Sequence, residues 1–315
     1  MRKARIAILT GGPFAEHESS VLSGEAVRRA LAKIKYETTP VLVKRDGEWS
    51  ISPSKLKEMA DIVFVAMHGK YGEDGTAQDV LGQAGISYTG SGALSSALAI
   101  NKVLTGRLFR TLGFNTPRFM VLEKSDSGSF ELDFDFPVIV KPINRGLSLG
   151  VGLAREPGEL NDALGRAFEF SKSILVEEYI LGRELNISVI DNGGGELVPM
   201  VPVEIIPRVS SFHDYYSKLS PDITEVIIPA LLGETEKDLV QAAGLLAHQA
   251  IGARGISKTD MILSQNGHLY LLEINTIPSF IETGALMRAA SSHGLSLTEV
   301  CERIVEAAYD SIGAD

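Results

Sequence analysis

The segment from Lys258 to Ser279, KTDMILSQNGHLYLLEINTIPS, constrains this chain more than any other. It reads as two strands, TDMILS and HLYLLEIN, separated by Asn266-Gly267, a dipeptide that accepts the positive φ angles of a two-residue hairpin turn. With Gln265 paired to His268, counting outward places Asp260 opposite Glu273 and Lys258 opposite Asn275. Strand side chains alternate, so Asn275 shares the face of Glu273. Two carboxylates and a carboxamide thus converge at the open end of an otherwise apolar ribbon. Like charges opposed across a sheet call for a compensating cation. Three hard oxygen donors suit Mg²⁺ or Mn²⁺ held beside phosphates rather than zinc. The alternative is a pair of solvated strand-end carboxylates, against which stands the apolar setting of Glu273 in LLEIN.

The amino-terminal segment alternates strand and helix. RIAILT runs into Gly11-Gly12, SSVLSGEAVRRALAKI has helical spacing, and TTPVLVKR and DIVFVAMHG are strands on either side of a crossover helix in ISPSKLKEMA. This alternation predicts a parallel sheet with helices on its faces, where ligands gather at strand carboxyl ends. Two loops occupy such positions, GGPFAEHE and HGKYGEDGTAQ. A boundary falls near Gly90 to Asn101, followed by a helix in NKVLTGRLFRTLG and a small α/β unit built from FPVIVKP, GLSLGVG, GELNDALGRAFEF and SILVEEYI. Strands then dominate, apart from a long polar stretch from Pro207 to Thr224 of the kind that forms lids. The expected division is 1–100, 101–186 and 187–315.

Composition excludes several classes. A net charge of −10 lacks the basic surface that nucleic-acid phosphates need. No run is apolar for long enough to span a bilayer, and MRKARIAILTGG is too short an apolar run for a signal peptide. The single cysteine, Cys301, excludes an intramolecular disulfide framework and sits in a helical pattern that suits packing. The expectation is a cytoplasmic protein with neither nucleic-acid nor membrane partners.

Other residues carry weaker signals. Glycines in GLSLGVG let backbone N–H groups approach an anion, with Ser148 adding a hydroxyl, although a plain hairpin turn reads the same way. Lys141 lies in the apolar strand VIVKP, where its ammonium needs a partner such as a nucleotide phosphate, unless it guards a sheet edge. Glu177 and Glu184 flank a strand end and turn, positioned either for ribose and adenine or as surface charges. His68 opens HGKYGEDG at a strand end; it is either structural or part of a site.

Taken in order and spacing, GGPFAEHESSVLSG, HGKYGEDGTAQ, YTGSG followed by NK, VKP with GLSLG, LVEEYILGRE, and TDMIL with LLEINTIPS resemble the D-alanine:D-alanine ligases of the ATP-grasp superfamily. The resemblance spans essentially the whole chain. It implies an α/β ATP-grasp fold behind a Rossmann-like amino-terminal domain. By position it assigns Lys102, Lys141, Ser148 and Lys218 to the ATP phosphates, and Glu177, Glu178, Tyr179, Ile180 and Glu184 to adenine and ribose. Asp260, Glu273 and Asn275 would hold two Mg²⁺ or Mn²⁺ ions. Glu16 would take the ammonium of the first D-alanine, with His68 beside its carboxylate. Catalytic roles fall to Glu16, Ser148, Lys218 and Lys258, and substrate contacts extend to Ser279 and Gly284. The implied reaction phosphorylates the first carboxylate, after which the second amine attacks the acyl phosphate. Ligases of this family are commonly homodimers joined through the amino-terminal domain.

Departures from the family pattern cluster around the amino acids. Leu147 and Leu219 stand where the family has a hydrogen-bonding serine and tyrosine, a paired loss that predicts contact between the two leucines when the polar loop closes. Lys258 replaces an arginine and so lacks the planar fork for bidentate carboxylate binding. Gly284 replaces a serine, and Ser279 a residue that is usually glycine. The leading expectation is therefore a D-alanine:D-alanine ligase. The alternatives are a ligase with another second substrate, an amino acid or hydroxy acid, and a nucleotide-binding pseudoenzyme.

Overall fold

The computed structural model describes residues 4–126, 130–146, 149–207 and 224–312. Its first region matches the predicted alternation. Strands β1 (Ala4–Gly11), β2 (Tyr36–Val43) and β3 (Ile62–Val65) form a parallel sheet in the order β2-β1-β3, with helices α1 (His17–Ala32) and α2 (Pro53–Met59) as crossovers. Parallel strands need such crossovers, and burial on both faces explains the continuous apolar runs in β1 and β3. Helices α3 (Thr76–Gln83), α4 (Ala93–Ile100) and α5 (Lys102–Thr111) follow, α5 being capped by Asn101, whose side chain accepts from the amides of Val103 and Leu104.

The central unit is an antiparallel sheet in the order β4-β7-β5-β6, formed by β4 (Phe119–Glu123), β5 (Val138–Pro142), β6 (Gly152–Ala154) and β7 (Ser173–Glu178). Helix α6 (Pro157–Phe170) covers one face, burying Ala163, Leu164 and Ala167 against Val138, Val140 and Val176. The glycine loop is the connection of the β5–β6 hairpin.

The third sheet runs β11-β10-β8-β12-β13, with the short β9 (Leu197–Pro199) also pairing with β8. Its long strands are β8 (Gly182–Asp191), β10 (Val203–Pro207), β11 (Thr224–Ile227), β12 (Ile256–Ser264) and β13 (Leu269–Asn275). Helix α7 (Glu234–Ala250) seals its apolar face. Helices α8 (Ala285–Ser292) and α9 (Leu297–Ile312) end the described chain.

The cores cross the expected junctions. Ala99 of α4 and Phe109 of α5 pack with Leu185, Met261 and Leu271 of the third sheet. The junction at 186/187 falls inside β8, which pairs with β12 from Gly182 to Ile190. Val300, Cys301, Ile304 and Val305 of α9 complete the core of the amino-terminal sheet. Cys301 is fully buried there, and burial pushes its thiol pKa up, so it packs rather than reacts.

One correction concerns the hairpin turn. The loop between Ser264 and His268 has three residues, not two: Ser264 N–H donates to His268 O at 2.9 Å, and Gly267, at φ 78°, donates to Ser264 O at 2.9 Å. The pairs near the turn are therefore Leu263/Leu269, Ile262/Tyr270 and Met261/Leu271, each one residue away from the two-residue count. A β-bulge at Leu272 then restores the expected register, so Asp260 faces Glu273 and Lys258 faces Asn275. The Leu271 N–H next to the bulge donates to Asn115 O at 3.0 Å, from the segment beyond α5.

Candidate active site

The hairpin supplies the floor of a cleft between the central and third sheets. Asp260, Ile262, Leu272 and Glu273 line it from below, Ile139 and Lys141 from β5, and Glu177, Glu178, Tyr179, Ile180 and Glu184 from β7 and the start of β8. All five residues expected around adenine and ribose therefore meet in one pocket with the expected phosphate lysines, Lys102 and Lys141. Ser148 and Lys218, along with Leu147 and Leu219 and the contact expected between them, lie outside the described residues.

Three of the acidic groups in the cleft, Glu177, Glu273 and Asp260, are each set against a lysine. Lys141 Nζ lies 2.5 Å from Glu177 Oε1, with both side chains buried. Lys102, the first residue of α5, reaches Glu273 Oε2 at 3.0 Å and also donates to Arg145 O at 2.8 Å. Lys258 Nζ meets both oxygens of Asp260, at 2.6 and 2.8 Å. Burial opposes the charge on Lys258, but Asp260, Glu273 and Glu184 outweigh it and hold its pKa above the ordinary lysine value. Removing one member of such a pair strands the other in a poorly solvated place, which makes the lysines fit to exchange a carboxylate for a phosphate.

Sequence reasoning missed three neighbours. Asn186 of β8 is the cross-strand partner of Asp260 and is buried, a placement set by the β8–β12 register. Glu73, in HGKYGEDG, is buried and accepts the Gly69 N–H at 2.5 Å. Burial, with Glu16 and Glu273 nearby, pushes the Glu73 carboxyl up to about 7. Arg145 lies at the head of the glycine loop and lines the cleft. The residue types in HGKYGEDG and INRG are visible in the sequence; what they face is not.

Beyond Glu273 the cleft continues into a second, polar pocket lined by Glu73, Lys102, Arg145, Gly146, Glu273, Asn275 and Thr276. Glu16, at the start of α1, is buried nearby, against Gly69 and Gly146. Neither of its carboxylate oxygens has a hydrogen-bond partner among the described residues, and the Thr276 hydroxyl is likewise unpaired. Burial pushes the Glu16 carboxyl up, partly offset by the charge of Arg145. Gly69 has φ 67°, a region that favours glycine, and a Cβ there would overlap the Glu16 carboxyl carbon, so any other residue would displace that side chain.

His68 is held on both sides. Its Nδ1 lies 3.0 Å from Ile277 O, a carbonyl that only accepts, so Nδ1 carries the proton. Nε2 accepts from Ser23 Oγ at 2.7 Å. Burial lowers its pKa to about 4, in keeping with a neutral ring. Ser23 Oγ is 3.4 Å from Ser279 Oγ and accepts from Phe280 N–H at 3.3 Å, so His68 and Ser23 clasp the loop carrying Ser279. Gly284 is the N-cap of α8 and offers no side-chain acceptor to its first turn.

Among the described residues, no group of three or more His, Cys, Asp and Glu side chains is arranged to hold a metal ion. The oxygen donors at the hairpin are the two facing carboxylates and Asn275, and that set fits a hard cation held jointly with phosphate.

The chain matches two family models, "D-ala D-ala ligase N-terminus" over residues 50–91 and "D-ala D-ala ligase C-terminus" over residues 108–306. It is 36% identical to a D-alanine:D-alanine ligase of Geotalea uraniireducens, covering 98% of this chain and 96% of that protein. It is 37% identical to one of Trichlorobacter lovleyi, covering 96% and 95%. Among solved structures it resembles the VanG D-Ala:D-Ser ligase of Enterococcus faecalis, with a TM-score of 0.86 and 27% identity over 97% of this chain and 99% of that one. It also resembles the D-alanine:D-alanine ligase of Bacillus anthracis complexed with ATP, with a TM-score of 0.79 and 28% identity over 99% of both chains.

Proposed function

The chain belongs to the D-alanine:D-alanine ligase family, and from that membership we propose that it joins two D-alanine molecules, converting ATP to ADP and phosphate, to supply D-alanyl-D-alanine for peptidoglycan precursors. The observation that carries this reading is the Glu16 carboxylate, buried and without a hydrogen-bond partner among the described residues, beside a cleft lined by lysines. A buried carboxylate without a partner is costly unless a cation meets it, and an amino acid brings an ammonium.

In this reading Glu177 and Glu184 accept hydrogen bonds from the nucleoside, and Lys102 and Lys141 turn to its phosphates. Glu16 orients the first D-alanine so that a carboxylate oxygen attacks the terminal phosphorus. The bond from that phosphorus to the β-phosphate oxygen breaks, and its electron pair leaves on ADP. The amine of the second D-alanine, having released one proton to solvent, then attacks the acyl carbon, and its nitrogen gives up a second proton to solvent as the amide forms. The C–N bond forms as the C–O bond to phosphate breaks, and inorganic phosphate leaves with that electron pair. Glu16, Ser148, Lys218 and Lys258 are the groups proposed to act on the reacting atoms, with His68, Ser279 and Gly284 shaping the amino-acid sites. Mg²⁺ or Mn²⁺, as two ions held by Asp260, Glu273 and Asn275, would supply charge neutralisation for the phosphoryl group.

A second reading concerns only the second substrate. Lys258 is held by both oxygens of Asp260, and Gly284 has no hydroxyl, so two contacts expected for the second carboxylate are altered. The likeness to a D-Ala:D-Ser ligase is in keeping with a second subsite open to another amino acid or a hydroxy acid. The deciding experiment is ADP release with each D- and L-amino acid, singly and in pairs, with product masses. D-alanine alone giving a dialanine product supports the main reading. A mixed product supports the second, and ATP binding without ADP release overturns both in favour of a pseudoenzyme.

No described helix is long and apolar enough to cross a membrane. We assign the protein to the cytoplasm as a homodimer joined through its amino-terminal domain, a state that light scattering would test.

A further inference from the structure

Arg145 stands with two assigned residues at the place where two pockets meet. The nucleotide cleft and the polar pocket beyond it share three lining residues: Lys102, Glu273 and Arg145. A phosphoryl group moving from ATP to a carboxylate held near Glu16 must cross that junction. Lys102 and Glu273 are ion-paired to each other at 3.0 Å. The Arg145 guanidinium is in no ion pair among the described residues; its Nε donates to Phe170 O at 3.1 Å, and its Cζ stands 5.4 Å from the Phe14 ring. Its charge is felt at the Glu16 carboxylate, while its own carbonyl accepts from Lys102 Nζ at 2.8 Å. The residue is therefore tied by its backbone to a phosphate lysine, with its guanidinium held between Phe170 O and the Phe14 ring at the junction of the two pockets.

We propose that Arg145 is a further catalytic group of this ligase, its planar guanidinium binding the phosphoryl oxygens as the group passes from nucleotide to substrate carboxylate. The proposal rests on the ligase reading. A guanidinium suits the task because its fork of N–H donors matches paired oxygens, which an ammonium does not. Among the described residues that line the two pockets Arg145 is the one arginine, and position 258 is a lysine already bound to both oxygens of Asp260. No atom is transferred to or from Arg145; it binds charge that is redistributed as one P–O bond breaks and another forms.

The test uses the full chain with Mg²⁺, ATP and D-alanine, measuring ADP release, and compares Arg145→Met, Arg145→Lys and Phe14→Leu. Arg145→Met is expected to lower kcat by roughly 100-fold, the scale for losing one donor aimed at developing charge, while changing KM for ATP much less. Guanidinium chloride, at concentrations too low to denature, is expected to restore part of that loss in Arg145→Met and nothing in the wild type. Arg145→Lys is expected to fall between, and Phe14→Leu, which removes only the ring beside the guanidinium, to stay within about threefold of wild type. Unchanged kcat in Arg145→Met overturns the proposal, as does an equal loss in Phe14→Leu, or a loss that guanidinium does not relieve. No ADP release by the wild-type chain overturns the ligase reading and this one together. Normal release by both wild type and Arg145→Met overturns this one alone.

Discussion

Lys258 Nζ is bound by both carboxylate oxygens of Asp260, at 2.6 and 2.8 Å, and Asp260 faces Glu273 directly across the hairpin. Lys258 thus supplies, in the ligand-free chain, part of the positive charge that two opposed carboxylates require. Lys258→Met is expected to lower stability by about 3 kcal/mol, the scale for stranding one member of a largely buried pair. Added MgCl₂ should recover more melting temperature in the variant than in the wild type. Equal melting temperatures without metal would show that Lys258 offsets nothing at this site.

Glu273→Ala tests the other half of the floor. The substitution removes one of the facing carboxylates and leaves Lys102 with its bond to Arg145 O. Mg²⁺-dependent ADP release is expected to be abolished. Circular dichroism should stay native, with a stability loss of about 1–3 kcal/mol, because Glu273 is partly solvated. Turnover equal to wild type would remove Glu273 from the metal assignment.

Glu16→Gln is expected to move stability and activity in opposite directions. The buried Glu16 carboxylate has no hydrogen-bond partner among the described residues, so a neutral amide should stabilise the chain by roughly 1–2 kcal/mol near pH 8. The same change removes the charge offered to the first ammonium, and KM for the first D-alanine should rise at least tenfold, about 1.4 kcal/mol. Thermal melts and initial rates on one preparation separate the two effects. A variant less stable than wild type would mean that Glu16 is already satisfied in the free protein.

Much of this architecture is legible in the sequence because it is local. The apolar periods of β1, α1 and β3 and the helix in NKVLTGRLFRTLG need no knowledge of distant residues. The Asp260/Glu273 pairing is legible for a compensating reason. A two-residue turn, and a three-residue turn with one bulge, reach the same register beyond Leu272. The bulge lies beside a bond from Leu271 to Asn115, far away in the chain, and nothing in LYLLEIN announces it. Asn186 opposite Asp260, and Arg145 shared by two pockets, are likewise set by tertiary register. His68 is visible as a residue at a strand end, yet its bond to Ile277 O, 209 positions away, decides its tautomer.

Gly69→Ala isolates the close approach behind Glu16. Gly69 and Gly47 both have positive φ, 67° and 88°, but a Cβ at Gly47 meets nothing within 4 Å, whereas one at Gly69 overlaps the Glu16 carboxyl. Gly47→Ala should therefore show the backbone cost alone, about 1–2 kcal/mol. Gly69→Ala should lose more stability than that and also raise KM for the first D-alanine by displacing Glu16. Equal losses in the two variants, with unchanged KM, would mean that Glu16 yields freely.

The pH dependence of stability draws on buried groups of opposite sign, His68 and His248 on one side and Glu73 and Glu16 on the other. His68 is kept neutral, its pKa lowered from 6.5 to about 4, so its contribution is complete above pH 6.5 and is lost as pH falls toward 4. Glu73 is kept protonated, its pKa raised from 4.5 to about 7, so its contribution is complete below pH 4.5 and is lost as pH rises through 7. Each shift corresponds to about 3 kcal/mol at full extent. Between pH 4.5 and 6.5 the slopes of His68 and Glu73 oppose each other, while from 6.5 to 7 and slightly above the Glu73 loss continues without that of His68. Glu73→Gln keeps an acceptor for the Gly69 N–H and cannot ionise, so the variant should gain on wild type as pH rises from 5 to 8, by on the order of 3 kcal/mol. Chemical denaturation at four pH values measures that difference directly. Parallel curves for the two proteins would place the Glu73 carboxyl in contact with solvent or a cation, and a larger advantage at pH 5 than at pH 8 would reverse the sign argued for it.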